Sequence, residues 1–163
     1  MEFSDVIKNR YSCKKFSSEQ IGKDKLDAIL EAGRVAPTAK NLQEQHIYVV
    51  QSESALETID KLTPCRYNAP TVLIVAYNKN NVFTYLGDKR NSGIEDATIV
   101  ATHLMLAAYN EGVDSCWINF FNPDEPEDEE ILMLLDLGVA DKTTTPLPNH
   151  NSRKALTETA SFI

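Results

Sequence analysis

Along residues 94–111 apolar side chains recur around almost the whole circumference of a helix, with Ala97, Ala101, Ala107 and Ala108 adding small packing surfaces and Gly112 closing the run. Such a helix has little face to turn toward water and must be covered on nearly every side. A single core in a chain of 163 residues offers limited material for that cover. Part of this helix is therefore expected at a subunit interface, in a homodimer.

Around it the chain reads as one domain, residues 1–163, in which helical and extended patterns alternate. Phe3, Val6 and Ile7 mark a short amphipathic helix to about Arg10. Leu26, Ile29, Leu30 and Gly33 mark a second over residues 23–34, stopped near Val35 by Pro37. Residues 47–50 and 71–77 are β-branched runs that read as buried strands, joined by a helix carrying Ala55, Leu56, Ile59 and Leu62 after a capping Ser52 or Ser54. Beyond the long helix, residues 115–120 and 131–137 read as strands on either side of an acidic stretch, and the Thr-, Pro- and Asn-rich tail reads as mostly irregular. This alternation points to an α/β or α+β layered architecture.

Several function classes drop out on composition and spacing. With 24 acidic and 16 basic side chains the net charge is -8, which repels phosphate backbones and anionic lipid, so neither nucleic acid nor a membrane surface is expected as a partner. The longest apolar stretches, 69–77 and 131–135, fall far short of the roughly 20 residues of a spanning helix. The N-terminal residues lack the pattern of a secretory signal, and Cys13, Cys65 and Cys116 are an odd, widely spaced set, which suits a reducing cytoplasm. Neither these cysteines nor His46, His103 and His150 fall at metal-ligand spacing, so no metal site is expected. The sequence holds no glycine-rich dinucleotide or phosphate loop and no Gly-x-Ser-x-Gly elbow, and no catalytic side chain stands out.

Two segments remain. Arg10-Tyr11-Ser12-Cys13-Lys14-Lys15-Phe16 gathers cations and a hydroxyl that can clamp a phosphate through charge-assisted hydrogen bonds. The same cations could equally complement the dipole at a helix C-terminus and face solvent. Ala36-Pro37-Thr38-Ala39-Lys40-Asn41-Leu42-Gln43 offers amide side chains whose paired donors and acceptors suit the edge of a heterocycle. A turn selected for its Pro and Asn chemistry explains it as well. Cys13 reads as plain packing rather than a redox thiol, and Asp88-Lys89-Arg90 as a solvated loop.

Taken together, these segments resemble the nitroreductase family of FMN-dependent oxidoreductases. Its Arg-Arg-Ser-x-Arg-x-Phe motif is matched by Arg10, Tyr11, Ser12, Lys14 and Phe16, and its Ala-Pro-Ser-x-x-Asn-x-Gln by residues 36–43 with Thr38 for Ser. A long helix from near Asp96 to Leu106-Ala107-Ala108, then Gly112-Val113, Cys116-Trp117-Ile118 and the basic pair Arg153-Lys154, continue the resemblance in family order. It implies an α+β, three-layer fold with a central, mostly antiparallel sheet flanked by helices, in an intertwined homodimer. It implies FMN as cofactor, NADH or NADPH as hydride donor, and a small-molecule electron acceptor such as a nitro-aromatic or quinone, reduced by alternating half-reactions. Arg10, Ser12 and Lys14, with Tyr11 among them and Arg153 and Lys154 from the tail, would hold the phosphate and ribityl chain. Thr38, Asn41 and Gln43, on a loop with Pro37 and Ala39, would come from the partner subunit, while the backbone around Ile118 and Asn119 would lie along the flavin ring, with Gly138 nearby and Trp117 in the core. The chemistry belongs to the cofactor, which fits the lack of a catalytic side chain.

Two departures stand out. Gln43-Glu44-Gln45 replaces the family's Gln-Pro-Trp, and Asn122-Pro123-Asp124-Glu125 runs almost straight into residues 126–130, leaving out a helix of about two turns. A flavin-binding protein without turnover, and a cofactor-free protein that kept the fold, are the alternatives.

Overall fold

The structure, a computed structural model, describes residues 1–87, 89–122, 126–161 and 163. Asp88 of the expected solvated loop, and Pro123, Asp124 and Glu125 of the shortened connection, lie outside the described residues. The element order is α1 (Phe3–Asn9), α2 (Lys23–Arg34), a helical turn at Ala39–Asn41, β1 (Gln45–Val50), α3 (Glu53–Leu62), β2 (Thr71–Asn78), α4 (Gly93–Asn110), β3 (Asp114–Ile118), β4 (Glu129–Gly138) and α5 (Leu156–Thr159). The strands form one antiparallel sheet in the order β1-β2-β4-β3.

Strand alternation sorts the apolar side chains onto two faces. Leu73, Val75 and Tyr77 of β2 and Met133, Leu135 and Leu137 of β4 pack with Leu26 and Ile29 of α2 and Ala97, Val100, Ala101, Leu104 and Ala108 of α4. Val72 and Leu134 face the other way, into a smaller cluster with Cys13, Phe16, Ile59 of α3, Cys116 and Ile118. The result is three layers, α2 and α4 over the sheet and α3 with the 13–16 segment beneath it. Gly33 permits the close approach of α2 to α4, since a Cβ there would stand 2.7 Å from Leu104 Cδ2. No helix among the described residues is long and apolar enough to cross a membrane.

Three sequence expectations need correction. Residues 47–50 are not a buried strand: β1 pairs only with β2, its outer edge is unpaired among the described residues, and Tyr48 and Val49 are exposed. Residues 115–120 are extended only to Ile118, and Phe120 turns out to solvent. The strand expected at Ile131 begins at Glu129, because Glu129 and Glu130 pair with Asn78 and Tyr77 and the Glu129 carboxylate accepts from Tyr48 Oη at 2.6 Å and meets His46 Nδ1 at 2.7 Å. The long helix is covered by its own chain on one side. Ile94 and Ile99 remain exposed on the other, and His103, Met105 and Leu106 are half-buried.

Candidate functional site

The Arg10–Phe16 motif leaves α1 and runs along the free edge of β3, where Cys13 N–H donates to the Ser115 carbonyl at 2.9 Å. Phe16 N–H then donates to the Tyr67 carbonyl and Ser17 N–H to the Val139 carbonyl, which fixes the motif against two loops. The tail returns over its start through tight turns, His150 N–H to the Leu147 carbonyl and Ser152 N–H to the Asn149 carbonyl. Between motif and tail lies a cavity of about 190 Å³ lined by Arg10, Tyr11, Ser12, Leu147, Asn149, His150 and Arg153. An adjoining hollow of about 400 Å³ shares His150 and Arg153 and adds Lys8.

The cavity is electropositive. Arg10 has no carboxylate partner among the described residues, and the Arg153 guanidinium donates only to the Ser152 carbonyl. Tyr11 stays a neutral phenol: burial and then the Asp114 carboxylate push its pKa up to about 12. Two unpaired guanidinium groups and a hydroxyl on one small polar cavity are a donor set for a phosphate monoester. A phosphate with a short polar chain fits these residues. The volume lies below the roughly 300–1,000 Å³ that encloses a drug-sized ligand, so the rest of such a molecule needs further walls.

The other expected residues lie elsewhere. Lys14 turns inward, its Nζ 3.2 Å from Cys116 Sγ and 3.3 Å from the Tyr67 hydroxyl; burial disfavours its charge, but these two groups more than offset that and hold its pKa above the usual lysine value. Lys154 is exposed and does not line the cavity. Gly138 is buried where β4 ends, and a Cβ there would meet Pro70 Cδ at 2.8 Å, so its space is taken by packing. Ile118 is in the lower cluster, and Asn119 Oδ1 accepts from Trp117 Nε1 at 2.7 Å while the indole packs against the upper core.

Pro37, Thr38, Ala39, Asn41 and Gln43 form a separate exposed or half-exposed loop. Lys40, Asn41 and Gln43 all hold positive φ, and the loop is tied down by Ala39 N–H to Asp96 Oδ1 at 3.0 Å and Gln43 N–H to Thr38 Oγ1 at 3.0 Å. Behind it Glu44 and Asp96 are buried side by side, and neither Glu44 oxygen nor Asp96 Oδ2 finds a donor. Burial, then the Asp96 carboxyl, push Glu44 up to about 7. None of the loop residues lines the Arg10 cavity. No sequence pattern points to Leu147, Asn149 and His150, which have no periodicity and reach the cavity only through the fold of the tail.

Comparison with known proteins bears on the whole chain. The solved structure of a nitroreductase family protein from Clostridium difficile superposes with a TM-score of 0.92 at 31% identity, over 99% of this chain and 98% of that one. A nitroreductase with bound FMN from Bacteroides fragilis matches with a TM-score of 0.80 at 23% identity, over 100% and 99% of the two chains, and at that identity attests the fold alone. The Bacillus subtilis protein named "Putative NAD(P)H nitroreductase YodC" is 27% identical, over 92% of this chain and 93% of its own. The sequence model of the nitroreductase family matches residues 7–66 and 64–142, nearly the whole path from α1 past the end of β4, and the chain belongs to that family.

Proposed function

We propose that this chain is an FMN-dependent oxidoreductase, a homodimer that oxidises NADH or NADPH and reduces a small acceptor such as a nitro-aromatic or quinone. The observation that carries the reading is the cavity where Arg10, Ser12 and Arg153 converge with no carboxylate among the described residues to neutralise the two guanidinium groups. The family membership and the printed names of the relatives support it.

In this reading Arg10, Ser12 and Arg153 hold the FMN phosphate. Lys14, within the same motif, sits one step deeper, between Tyr67 and Cys116. Thr38, Asn41 and Gln43 of the second subunit present donors and acceptors to the polar edge of the ring, which explains why they stand apart from the cavity within one chain. The uncovered side of α4, with Ile94 and Ile99, supplies the apolar surface for that pairing. FMN, when bound, supplies the hydride chemistry, and the protein supplies binding, orientation and a single open pocket. Nicotinamide and acceptor use that pocket in turn, which gives ping-pong kinetics with parallel double-reciprocal lines. The three free cysteines suit a reducing cytoplasm.

The visible spectrum of the purified protein, with NADH or NADPH added under anaerobic conditions, tests the reading. A yellow protein bleached by either nicotinamide is expected. A yellow protein that neither bleaches would be a flavin carrier, and a colourless one that takes up no added FMN would contradict the flavin site altogether.

A further inference from the structure

His150 stands on the wall shared by the Arg10 cavity and the adjoining hollow. Its ring meets Tyr11 edge-on at 6.4 Å between centroids, and among the described residues its ring nitrogens have no hydrogen-bond partner. The charged or titratable groups around it come from several elements. Arg10 and Tyr11 lie on the motif, Lys8 on α1, and Arg153 on its own turn, with Asp114 of β3 behind the Tyr11 phenol. An unpaired imidazole on a wall already carrying two guanidinium groups has no anionic partner among the described residues.

Resting on the flavin reading above, we propose that His150 is a further phosphate-binding residue, a third cation that holds the 5′-phosphate of FMN when the imidazole is protonated and lets go of part of that hold when it is neutral. Arg10 and Arg153 stay charged across the physiological range and supply a constant attraction. Imidazole loses its charge near neutrality, so His150 makes the affinity for the phosphate depend on pH. By linkage, bound phosphate favours the protonated ring. The contribution is specific to the phosphate end, so it discriminates FMN from riboflavin and leaves the ring contacts alone.

The test is the affinity of flavin-free dimer for FMN and for riboflavin, in the wild type, His150→Asn and His150→Lys, at about pH 5.5 and about pH 8.5, on either side of the usual imidazole value. The flavin phosphate itself titrates, and taking the ratio of wild type to variant at each pH cancels that change. Wild type is expected to bind FMN about tenfold more tightly than His150→Asn at the lower pH and within about twofold of it at the higher. His150→Lys is expected to bind FMN tightly at both, which shows that charge and not the fold of the tail is being read. Riboflavin affinity is expected to be the same in all three. A wild-type to His150→Asn ratio that does not change with pH, or a riboflavin affinity that follows the FMN pattern, overturns the role of His150. A wild type that takes up no FMN at either pH overturns the flavin reading itself, and this proposal with it.

Discussion

Asp136 lies between Val72 and Cys116 on neighbouring strands, fully buried, and neither of its carboxylate oxygens has a hydrogen-bond donor. Burial pushes its pKa up to about 8, against weaker downward pulls from Arg66 and Lys14. Glu44 is pushed the same way. In the unfolded chain both ionise near pH 4, so the folded chain binds more protons and its stability falls as pH rises from about 4 to about 8, then levels off. Asp136→Asn is expected to raise the unfolding free energy at about pH 8 by on the order of a few kcal/mol, seen as a higher thermal midpoint, with a smaller gain at about pH 5. Equal gains at both pH values would show that ionisation is not the cause. Asp136 is the one charged residue in the apolar run 131–137, but the run alone does not say whether that carboxyl faces water or the core. Only the register, which places Val72 and Cys116 on either side, closes it from water. His150 was hidden for a related reason: its neighbours Tyr11 and Arg10 are remote in sequence and are joined to it by the turn of the tail.

Helices and strands were legible where local pattern and tertiary burial agree. The stripe of α2 follows from its periodicity, the largely buried β2 from its continuous apolar run, and the turn after Pro37 from its chemistry. β1 shows where local pattern is insufficient, because a β-branched run looks alike whether it lies at the centre or the edge of a sheet, and burial depends on what pairs with each side. The junction of α4 with β2 shows a constraint of the opposite kind. Gly93 opens α4 directly against the Tyr77 ring, where an added Cβ would stand 2.2 Å from Cε2. Tyr77 is almost fully buried on the central strand and has no space into which to retreat. Gly93→Ala is therefore expected to cost about 1–3 kcal/mol in chemical denaturation. A variant as stable as wild type would mean that α4 can slide away from the sheet at this point.

The paired cavity and loop extend this reasoning to the whole molecule. Ala101 is fully buried in the core of its own chain, whereas Ile99, two residues earlier, is exposed to the extent of 38% on the opposite side of α4. A glutamate at the first position puts an unpaired charge into the core and at the second onto an otherwise apolar surface. Ala101→Glu is expected to unfold the protein, and Ile99→Glu to dissociate it in sedimentation with loss of FMN affinity. An Ile99→Glu protein that remains a dimer would remove this face of α4 from the interface. The resemblance in sequence reached the phosphate motif, the loop and the tail separately. It also implies that the loop reaches the site from the partner subunit, but whether the cations and amides of one site share a chain depends on assembly and is not written in any local pattern.

Mixed dimers can answer that question. One subunit would carry Arg10→Ala with Arg153→Ala and the other Asn41→Ala with Gln43→Ala, co-expressed with different tags and purified through both. Each pair of changes alone is expected to weaken FMN binding in its homodimer, by about 1.5–3 kcal/mol for each charged hydrogen bond of the arginines and about 1–3 kcal/mol for each polar edge of the ring left unpaired by loss of an amide. If each flavin is held by the cations of one chain and the amides of the other, a mixed dimer has one site with every change and one with none, and half of its sites should bind FMN with wild-type affinity. If the cations and amides of a site come from the same chain, both sites in the mixed dimer are damaged, and the absence of any wild-type site would contradict the shared arrangement.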